Sequence, residues 1–207
     1  MLAIRDRGVG IGLLVLFATP SPAQSPVTYH LSFPEAQHHR VQVEATFPDV
    51  PPGPLQVLMS RTSPGRYAIH EFAKNVSDIE IDDGAGAALS YQRPSPGQWD
   101  VAGHSGVVRV RYEVFGDQVD GTFLGIDTTH AHINIPATLM WARGFEGRPV
   151  RVTFDAAPDW KVATQLKPTN DSRTFTAPNL QYLIDSPTEL SNFTLRTFRV
   201  DQEFRIA

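Results

Sequence analysis

Hydrophobic and polar residues alternate with a period of two in several short segments of the chain. The clearest segment, 108–114, places Val108, Val110, Tyr112 and Val114 at alternate positions, with charged residues between them. Side chains two residues apart point to the same face of a β-strand, so this pattern predicts a strand with one buried face. The same alternation occurs in three other segments: 39–44, 79–82 and 150–154.

Clusters of Gly, Pro, Asp and Asn separate these segments and predict tight turns. They lie at 49–54, 82–86, 94–97, 103–106 and 167–172. About a dozen short strands are expected at spacings of roughly 8–15 residues. We therefore predict an all-β fold, either an antiparallel two-sheet sandwich or a saddle-like domain. It should contain at most one or two short helical turns, one of them at 179–183 with Asn179 as its N-cap.

Residues 1–23 have the pattern of a secretory signal peptide. Arg5 and Arg7 precede an apolar run at 9–18, and residues 21–23, Ser-Pro-Ala, are small enough for a cleavage site. Ten helical residues rise about 15 Å, roughly half of a bilayer core, so a membrane span is the weaker interpretation. We expect cleavage after Ala23 and no membrane span afterwards.

The mature region, 24–207, is expected to form a single β domain, because no repeat, linker or charge run divides it. The whole chain of 207 residues has 18 Lys and Arg, 22 Asp and Glu, and no Cys. A net charge of −4 gives no basic surface for nucleic acid, so none is expected as a partner. The absence of Cys excludes disulfides, thiolate metal sites and a cysteine nucleophile. An exported protein without disulfides is compatible with a bacterial periplasm, which is the expected location.

Two histidine motifs are candidates for metal sites. His70-Glu71 resembles the start of the zinc motif H-E-x-x-H, but position 74 is Lys, so the second ligand is missing. His130 and His132 should share one face of a strand. They have no obvious third ligand, although Asp127 and His104 could approach them in space. We interpret both motifs as ordinary polar residues, so neither a metal nor a catalytic residue is predicted in this chain.

Two other segments have a distinctive order of residues. Pro64-Gly65-Arg66-Tyr67 predicts a turn in which Pro64 fixes φ, Gly65 adopts a positive φ and Tyr67 closes the turn. An apolar stretch follows and ends in Asn75-Val76. The segment 185–189, Asp-Ser-Pro-Thr-Glu, predicts a second turn in which Asp185 or Ser186 caps the residues before Pro187.

Together with Trp99-Asp100-Val101 and the Trp-x-Val-Ala-Thr strand at 160–164, these segments resemble, in order, the N-terminal domain of the glycyl-aminopeptidase family, metallopeptidase family sixty-one. The resemblance covers roughly residues 27–206. It departs from the family pattern at Arg61 and Ser63, near a place where the family often has Trp.

The resemblance implies a non-catalytic domain that packs on a zinc-dependent aminopeptidase domain and walls part of its substrate cleft. The family's catalytic half contains an H-E-x-x-H helix, and this chain contains none. No cofactor is therefore expected in this chain, zinc is expected only in a missing or separately encoded catalytic domain, and a peptide is the implied substrate. The implied substrate-wall or domain-interface residues are Asp185, Ser186, Pro187 and Glu189. An apolar docking surface is expected near these residues and near the C-terminal segment 192–206.

Two alternative functions remain open from the sequence. One is a stand-alone periplasmic β-sandwich module in which Trp99, Trp141 and Tyr67 form a ligand platform. The other is a small metal-dependent enzyme built on His130 and His132.

Overall fold

The computed structural model describes residues 24–118, 120–200 and 203–206, and the predicted signal peptide at 1–23 lies outside them. Two short helices, α1 (Ile135–Thr138) and α2 (Leu180–Ile184), and two 3-10 turns, Ala36–His38 and Phe72–Asn75, interrupt a succession of strands. The strands in these ranges are β1 (Val27–Ser32), β2 (Arg40–Phe47), β3 (Leu55–Leu58), β4 (Val76–Asp82), β5 (Ser90–Ser95), β6 (Gln98–Ala102), β7 (Val108–Phe115), β8 (Gly125–Ile126), β9 (His130–Ile133), β10 (Trp141–Ala142), β11 (Val150–Asp155), β12 (Lys161–Thr164), β13 (Lys167–Pro168), β14 (Thr174–Ala177), β15 (Thr188–Ser191), β16 (Thr197–Val200) and β17 (Glu203–Ile206).

The largest sheet has seven strands in the order β13-β14-β11-β1-β2-β7-β4. Two four-stranded sheets have the orders β10-β3-β6-β5 and β12-β15-β9-β8, and β16 pairs with β17. The all-β prediction is confirmed, with strands in several open sheets. One pairing differs from a purely antiparallel arrangement, because β1 runs parallel to β11 while it is antiparallel to β2.

The alternating segments bury the side chains that the sequence pattern indicated. In β7, Val108, Val110, Tyr112 and Val114 are all buried. These side chains join a single apolar cluster that also contains residues of both four-stranded sheets. Burying such side chains removes apolar surface from water, which is the main term stabilising a chain that has no disulfides.

Two buried tyrosines attach the region around α1 to the large sheet. The Tyr112 hydroxyl accepts a hydrogen bond from the Met140 amide at 2.8 Å and donates one to the Thr138 carbonyl at 3.0 Å. The Tyr29 hydroxyl donates to the Met140 carbonyl at 2.8 Å. Burial raises the pKa of both phenols above the usual value, so both stay protonated and act as fixed hydrogen-bond donors.

The predicted helical turn at 179–183 is confirmed as α2, displaced by one residue. Asn179 adopts an extended backbone and its side-chain oxygen accepts a hydrogen bond from the Tyr182 amide at 2.9 Å. This satisfies one of the free amides at the start of the helix, as expected of an N-cap. None of the helices in the described part of the chain is long and apolar enough to cross a bilayer.

Candidate functional site

Residues 61–71 form an irregular segment, called here the Pro-Gly loop, whose two ends are joined. The Arg61 guanidinium donates a 2.8 Å hydrogen bond from Nε to the Glu71 carboxylate. The His70 amide also donates to the Arg61 carbonyl at 2.7 Å. The predicted turn is present at Pro64-Gly65, and Gly65 has φ of +76°. Such a positive φ explains why glycine occupies this position.

Arg66 holds the middle of the Pro-Gly loop against the body of the domain. Its Nη1 lies 3.1 Å from Oδ2 of Asp120 and donates to the Thr122 hydroxyl at 3.2 Å. The guanidinium carbon also lies 5.6 Å from the centre of the Phe123 ring. The Arg66 side chain therefore holds the loop through an ion pair, hydrogen bonds and a cation–π contact.

Ser63 and Asn134 fix the other side of the loop. The Asn134 side-chain amide donates to the Ser63 hydroxyl at 3.0 Å and also to the Thr122 carbonyl, and both Ser63 and Asn134 are buried. Ser63 is one of the two positions at which the sequence departs from the pattern of the family that it resembles. In the structure this position is part of a buried polar pair with Asn134.

Tyr67 and Ile69 project from this anchored loop into solvent. Tyr67 has 106% of its reference surface exposed and Ile69 has 65%. Arg66, and not Tyr67, holds the turn against the domain. The loop consequently presents two large apolar side chains on an ordered backbone.

A cavity of about 290 Å³ lies beside the Pro-Gly loop and is called here the acid–histidine cavity. It is lined by Asp120, Gly121, Gly125, His130, His132 and Glu189. His132 on β9 is directly opposite Glu189 on β15, and its Nδ1 contacts the Glu189 carboxylate. This hydrogen bond raises the pKa of His132 from its usual value of 6.5, against the opposing effect of burial.

His130 faces the same cavity but pairs with a different carboxylate. Its Nδ1 lies 3.1 Å from Oδ2 of Asp127. The hydroxyl and amide of Thr129 both donate to Asp127, and these hydrogen bonds hold the pKa of that carboxyl well below its usual range. His104, considered from the sequence as a further ligand, instead lies 2.7 Å from the Gly53 carbonyl.

The described residues do not fit a zinc site. Within 24–118 and 120–200, no three His, Asp or Glu side chains are arranged to hold a metal ion. The side chains of His70 and Glu71 also make other contacts. The His70 ring stacks on the Phe72 ring with 5.2 Å between the ring centres, and the Glu71 carboxylate binds Arg61. Both histidine pairs of the sequence are thus hydrogen-bonded or stacked on neighbouring protein groups.

The four residues implied as wall or interface candidates lie in different environments. Ser186 is fully buried, and its hydroxyl donates to the Tyr182 carbonyl at 2.6 Å. The Asp185 carboxylate accepts from the Gln181 side chain at 2.9 Å, and Pro187 is exposed. Glu189 is the member of this set that lines the acid–histidine cavity. Its pairing with His132 had no signal in the local sequence, because the two residues are 57 positions apart.

An open groove of about 560 Å³ borders the Pro-Gly loop on another side. This groove, called here the apolar groove, is lined by five apolar residues, Leu58, Met59, Pro64, Trp141 and Ile184, and by five polar ones, Ser60, Arg61, Thr62, Ser63 and Gln181. The lining comes from the end of β3 and the segment after it, from β10, α2 and the Pro-Gly loop, so no local sequence signal indicated the groove. The proposed aromatic platform of the alternative binding module is not formed, because Trp99 is buried, with 1% of its surface exposed.

A solved structure shares this β fold. An aminopeptidase N family protein from Idiomarina loihiensis aligns with a TM-score of 0.80 and 21% identity, over 87% of this chain and 32% of its own. The fold is thus one that occurs as part of a longer peptidase-family chain. The description "Peptidase M61 N-terminal domain" belongs to the family whose sequence model matches residues 28–192, and the chain belongs to this family.

Other solved structures are more distant. An M1 zinc metallopeptidase variant from Deinococcus radiodurans, bound to a Tyr-Ser-Ala substrate, aligns with a TM-score of 0.49 and 13% identity, over 89% of this chain and 46% of its own. Leukotriene A4 hydrolase from Saccharomyces cerevisiae aligns with a TM-score of 0.48 and 11% identity, over 89% of this chain and 31% of its own. The chain thus spans between about a third and a half of the length of these proteins. None of the curated protein sequences matches it.

Proposed function

We propose that this domain packs on the catalytic domain of a glycyl-aminopeptidase-like zinc metallopeptidase and walls part of its substrate cleft. The observation that carries the proposal is the family match over residues 28–192, which covers most of the described chain. The domain itself is non-catalytic in this proposal, and the peptide substrate is bound and cleaved with the help of the partner domain.

The geometry around the Pro-Gly loop supports this role. Arg66 of the Pro-Gly loop pairs with Asp120, which lines the acid–histidine cavity, and Pro64 of the same loop lines the apolar groove. The loop therefore borders the cavity on one side and the groove on another. The region around it combines exposed apolar surface, which another domain can cover, with titratable groups that can contact a polar substrate. Glu189 is the substrate-wall candidate that this arrangement favours.

Zinc belongs to the partner domain in this proposal. Catalytic zinc needs three protein ligands and one open position, and the described residues of this chain do not supply such a set. The expected results for the purified chain are no stoichiometric zinc and no aminopeptidase turnover. Zinc bound tightly at one ion per chain would contradict this part of the proposal.

Export to the bacterial periplasm is also part of the proposal and rests on the signal pattern at 1–23. Protein recovered from the periplasm should begin near Gln24. N-terminal sequencing tests this, and an intact Met1 on exported protein would contradict it.

The main experiment combines the chain with an M61 catalytic domain of the same organism, produced as a separate polypeptide. Sedimentation velocity should show a one-to-one complex, and kcat/KM for a glycyl substrate should rise when the chain is added. A genome without such a catalytic domain, or a catalytic domain that neither binds the chain nor responds to it, would contradict the proposal. The stand-alone module would then need a ligand site other than the platform that buried Trp99 cannot provide.

A further inference from the structure

The Pro-Gly loop is ordered without using its largest apolar side chains. Its ends are closed by Arg61 and Glu71, its middle is held by Arg66 on Asp120, and Ser63 is bound by buried Asn134. Each of these contacts involves polar groups. Tyr67 and Ile69 contribute nothing comparable to the fold, since most of their surface lies in solvent.

A pre-ordered loop with an exposed aromatic residue has the features of a binding anchor. Tyr is enriched among the residues that carry most of the binding energy in interfaces, and ordering the backbone beforehand lowers the entropic cost of association. Exposing Tyr67 and Ile69 on the same loop instead costs solubility and gives no folding stability. A surface that covers the two side chains would remove this apolar area from water, which favours association.

The Arg and Glu side chains of the loop are paired. Arg61 pairs with Glu71, and Arg66 pairs with Asp120. The loop therefore presents two apolar side chains together with paired charges. Its complement is an apolar pocket that carries little net charge, because an unpaired charge buried there would lose its hydration without compensation.

We propose that Tyr67 and Ile69 are the anchor by which this domain docks on the M61 catalytic domain, and that they insert into an apolar pocket of that domain. The inference rests on the function proposed above and adds the surface and the two residues that mediate it. The apolar groove beside Pro64 extends the contact. In this proposal the docking surface is centred on the Pro-Gly loop. The C-terminal segment expected from the sequence also exposes apolar side chains, Leu195 and Phe198, and is therefore the comparison surface in the test.

Two observations favour the catalytic domain over a second copy of this chain as the occupant. In the Idiomarina loihiensis relative the matching fold accounts for 32% of the chain, so the same fold there shares its polypeptide with about twice as much additional protein. Arg66 of the loop also contacts Asp120, which lines the cavity that contains Glu189, so a domain docked on the loop would lie beside that cavity. Inter-domain contacts of this kind bury about 600–1,500 Å², which the loop and groove together can contribute to.

The test uses the 207-residue chain and the M61 catalytic domain of the same organism as separate polypeptides. The test variant carries Tyr67→Ser and Ile69→Ser. The matched control carries Leu195→Ser and Phe198→Ser, which removes two exposed apolar side chains from the C-terminal segment instead, with 53% and 50% of their surface exposed. All four side chains are exposed, so both variants should unfold within about 2 °C of the wild type.

Isothermal titration calorimetry should show dissociation constants about 100-fold weaker for the Tyr67/Ile69 variant and within about twofold of wild type for the control. Equal affinity of wild type and the Tyr67/Ile69 variant would overturn the inference and leave the proposed function intact. Selective weakening in the Leu195/Phe198 variant would assign docking to the C-terminal segment instead. If the wild type does not bind the catalytic domain, the proposed function fails together with the inference. A chain dimer that disappears only in the Tyr67/Ile69 variant would identify a second copy as the occupant.

Discussion

His132 and Glu189 lie directly opposite each other on the paired strands β9 and β15, and the imidazole is hydrogen-bonded to the carboxylate. The pair forms one wall of the acid–histidine cavity, where Asp120 and His130 are the other titratable groups. His132 has 20% of its side-chain surface exposed and Glu189 has 49%, so solvent screens the pair only in part. A titratable pair at this position links the stability of the sheet to pH.

We expect Glu189→Gln to reduce stability in a pH-dependent way. The pKa of His132 is raised in the folded protein, so the charged pair stabilises fully below the unfolded pKa of 6.5 and loses its effect as pH rises through the folded pKa. The difference in unfolding free energy between wild type and variant should be about 1 kcal/mol near pH 6 and should approach zero near pH 9. Urea unfolding across this range measures it.

Glu146→Gln is the matched control, because Glu146 is exposed and lies outside the cavity. The difference in unfolding free energy between wild type and Glu146→Gln should not change with pH. A Glu189→Gln penalty that stays constant or grows with rising pH would contradict the assigned ion pair.

We expect Asp82→Asn to be strongly destabilising. The Asp82 carboxylate, with 4% of its side-chain surface exposed, lies 3.0 Å from both the Arg109 and Arg111 guanidinium groups. Burial acts to raise its pKa, but hydrogen bonds from Arg109 and from the Gly84 amide lower it overall, so it is charged at neutral pH. Removing this charge leaves two arginines without their shared partner and should cost about 2–4 kcal/mol.

Glu80→Gln serves as the comparison, because Glu80 also binds Arg111 but is 71% exposed. Its loss should cost less than about 1 kcal/mol in the same denaturation experiment. Equal effects of the two substitutions would show that burial of Asp82 does not matter.

We expect Tyr112→Phe to cost more than Tyr29→Phe, although each removes one buried hydroxyl. Tyr112 both accepts from the Met140 amide and donates to Thr138, whereas Tyr29 makes one bond, to the Met140 carbonyl. Losing the acceptor leaves a buried amide unpaired, which is costlier than leaving a carbonyl with one free lone pair. The expected losses are about 2–3 and about 1 kcal/mol, measured by thermal unfolding. The reverse order would contradict the role assigned to Tyr112.

We expect Gly116→Ala to destabilise the domain and Gly121→Ala to be tolerated. A Cβ at position 116 would lie 2.7 Å from the backbone oxygen of Leu124, and it would also overlap the side chain of Leu124. A Cβ at position 121 meets nothing within 4 Å. Overlap with backbone cannot be relieved by a rotamer change, so the first substitution should cost about 2–4 kcal/mol and the second close to zero. The urea concentration at the unfolding midpoint should therefore fall for Gly116→Ala and stay near the wild-type value for Gly121→Ala. Equal midpoints of the two variants would contradict the prediction.

Local patterns predicted much of the fold and little of the candidate site. The alternation at 108–114 correctly indicated the buried face of β7, and Asn179 correctly indicated the start of α2. These features depend on residues within a few positions of each other, where side-chain direction and backbone hydrogen bonding follow directly from sequence. By contrast, Glu189 was implied as a wall residue without its partner His132 and without the cavity that they line.

The sequence by itself determined that this chain forms β-strands with one apolar face, that Pro64-Gly65 turns the chain, and that the whole resembles a peptidase N-terminal domain. Only the tertiary structure decided that β1 pairs in parallel with β11, that Glu189 meets His132, and that Arg66 rather than Tyr67 holds the Pro-Gly loop. A period of two states which face of a strand is buried but not which strand lies beside it, so long-range pairs depend on how the complete core packs. The role of Arg66 could not be predicted for the same reason. Its contacts with Asp120 and Phe123 form only after residues more than 50 positions apart in the sequence come together.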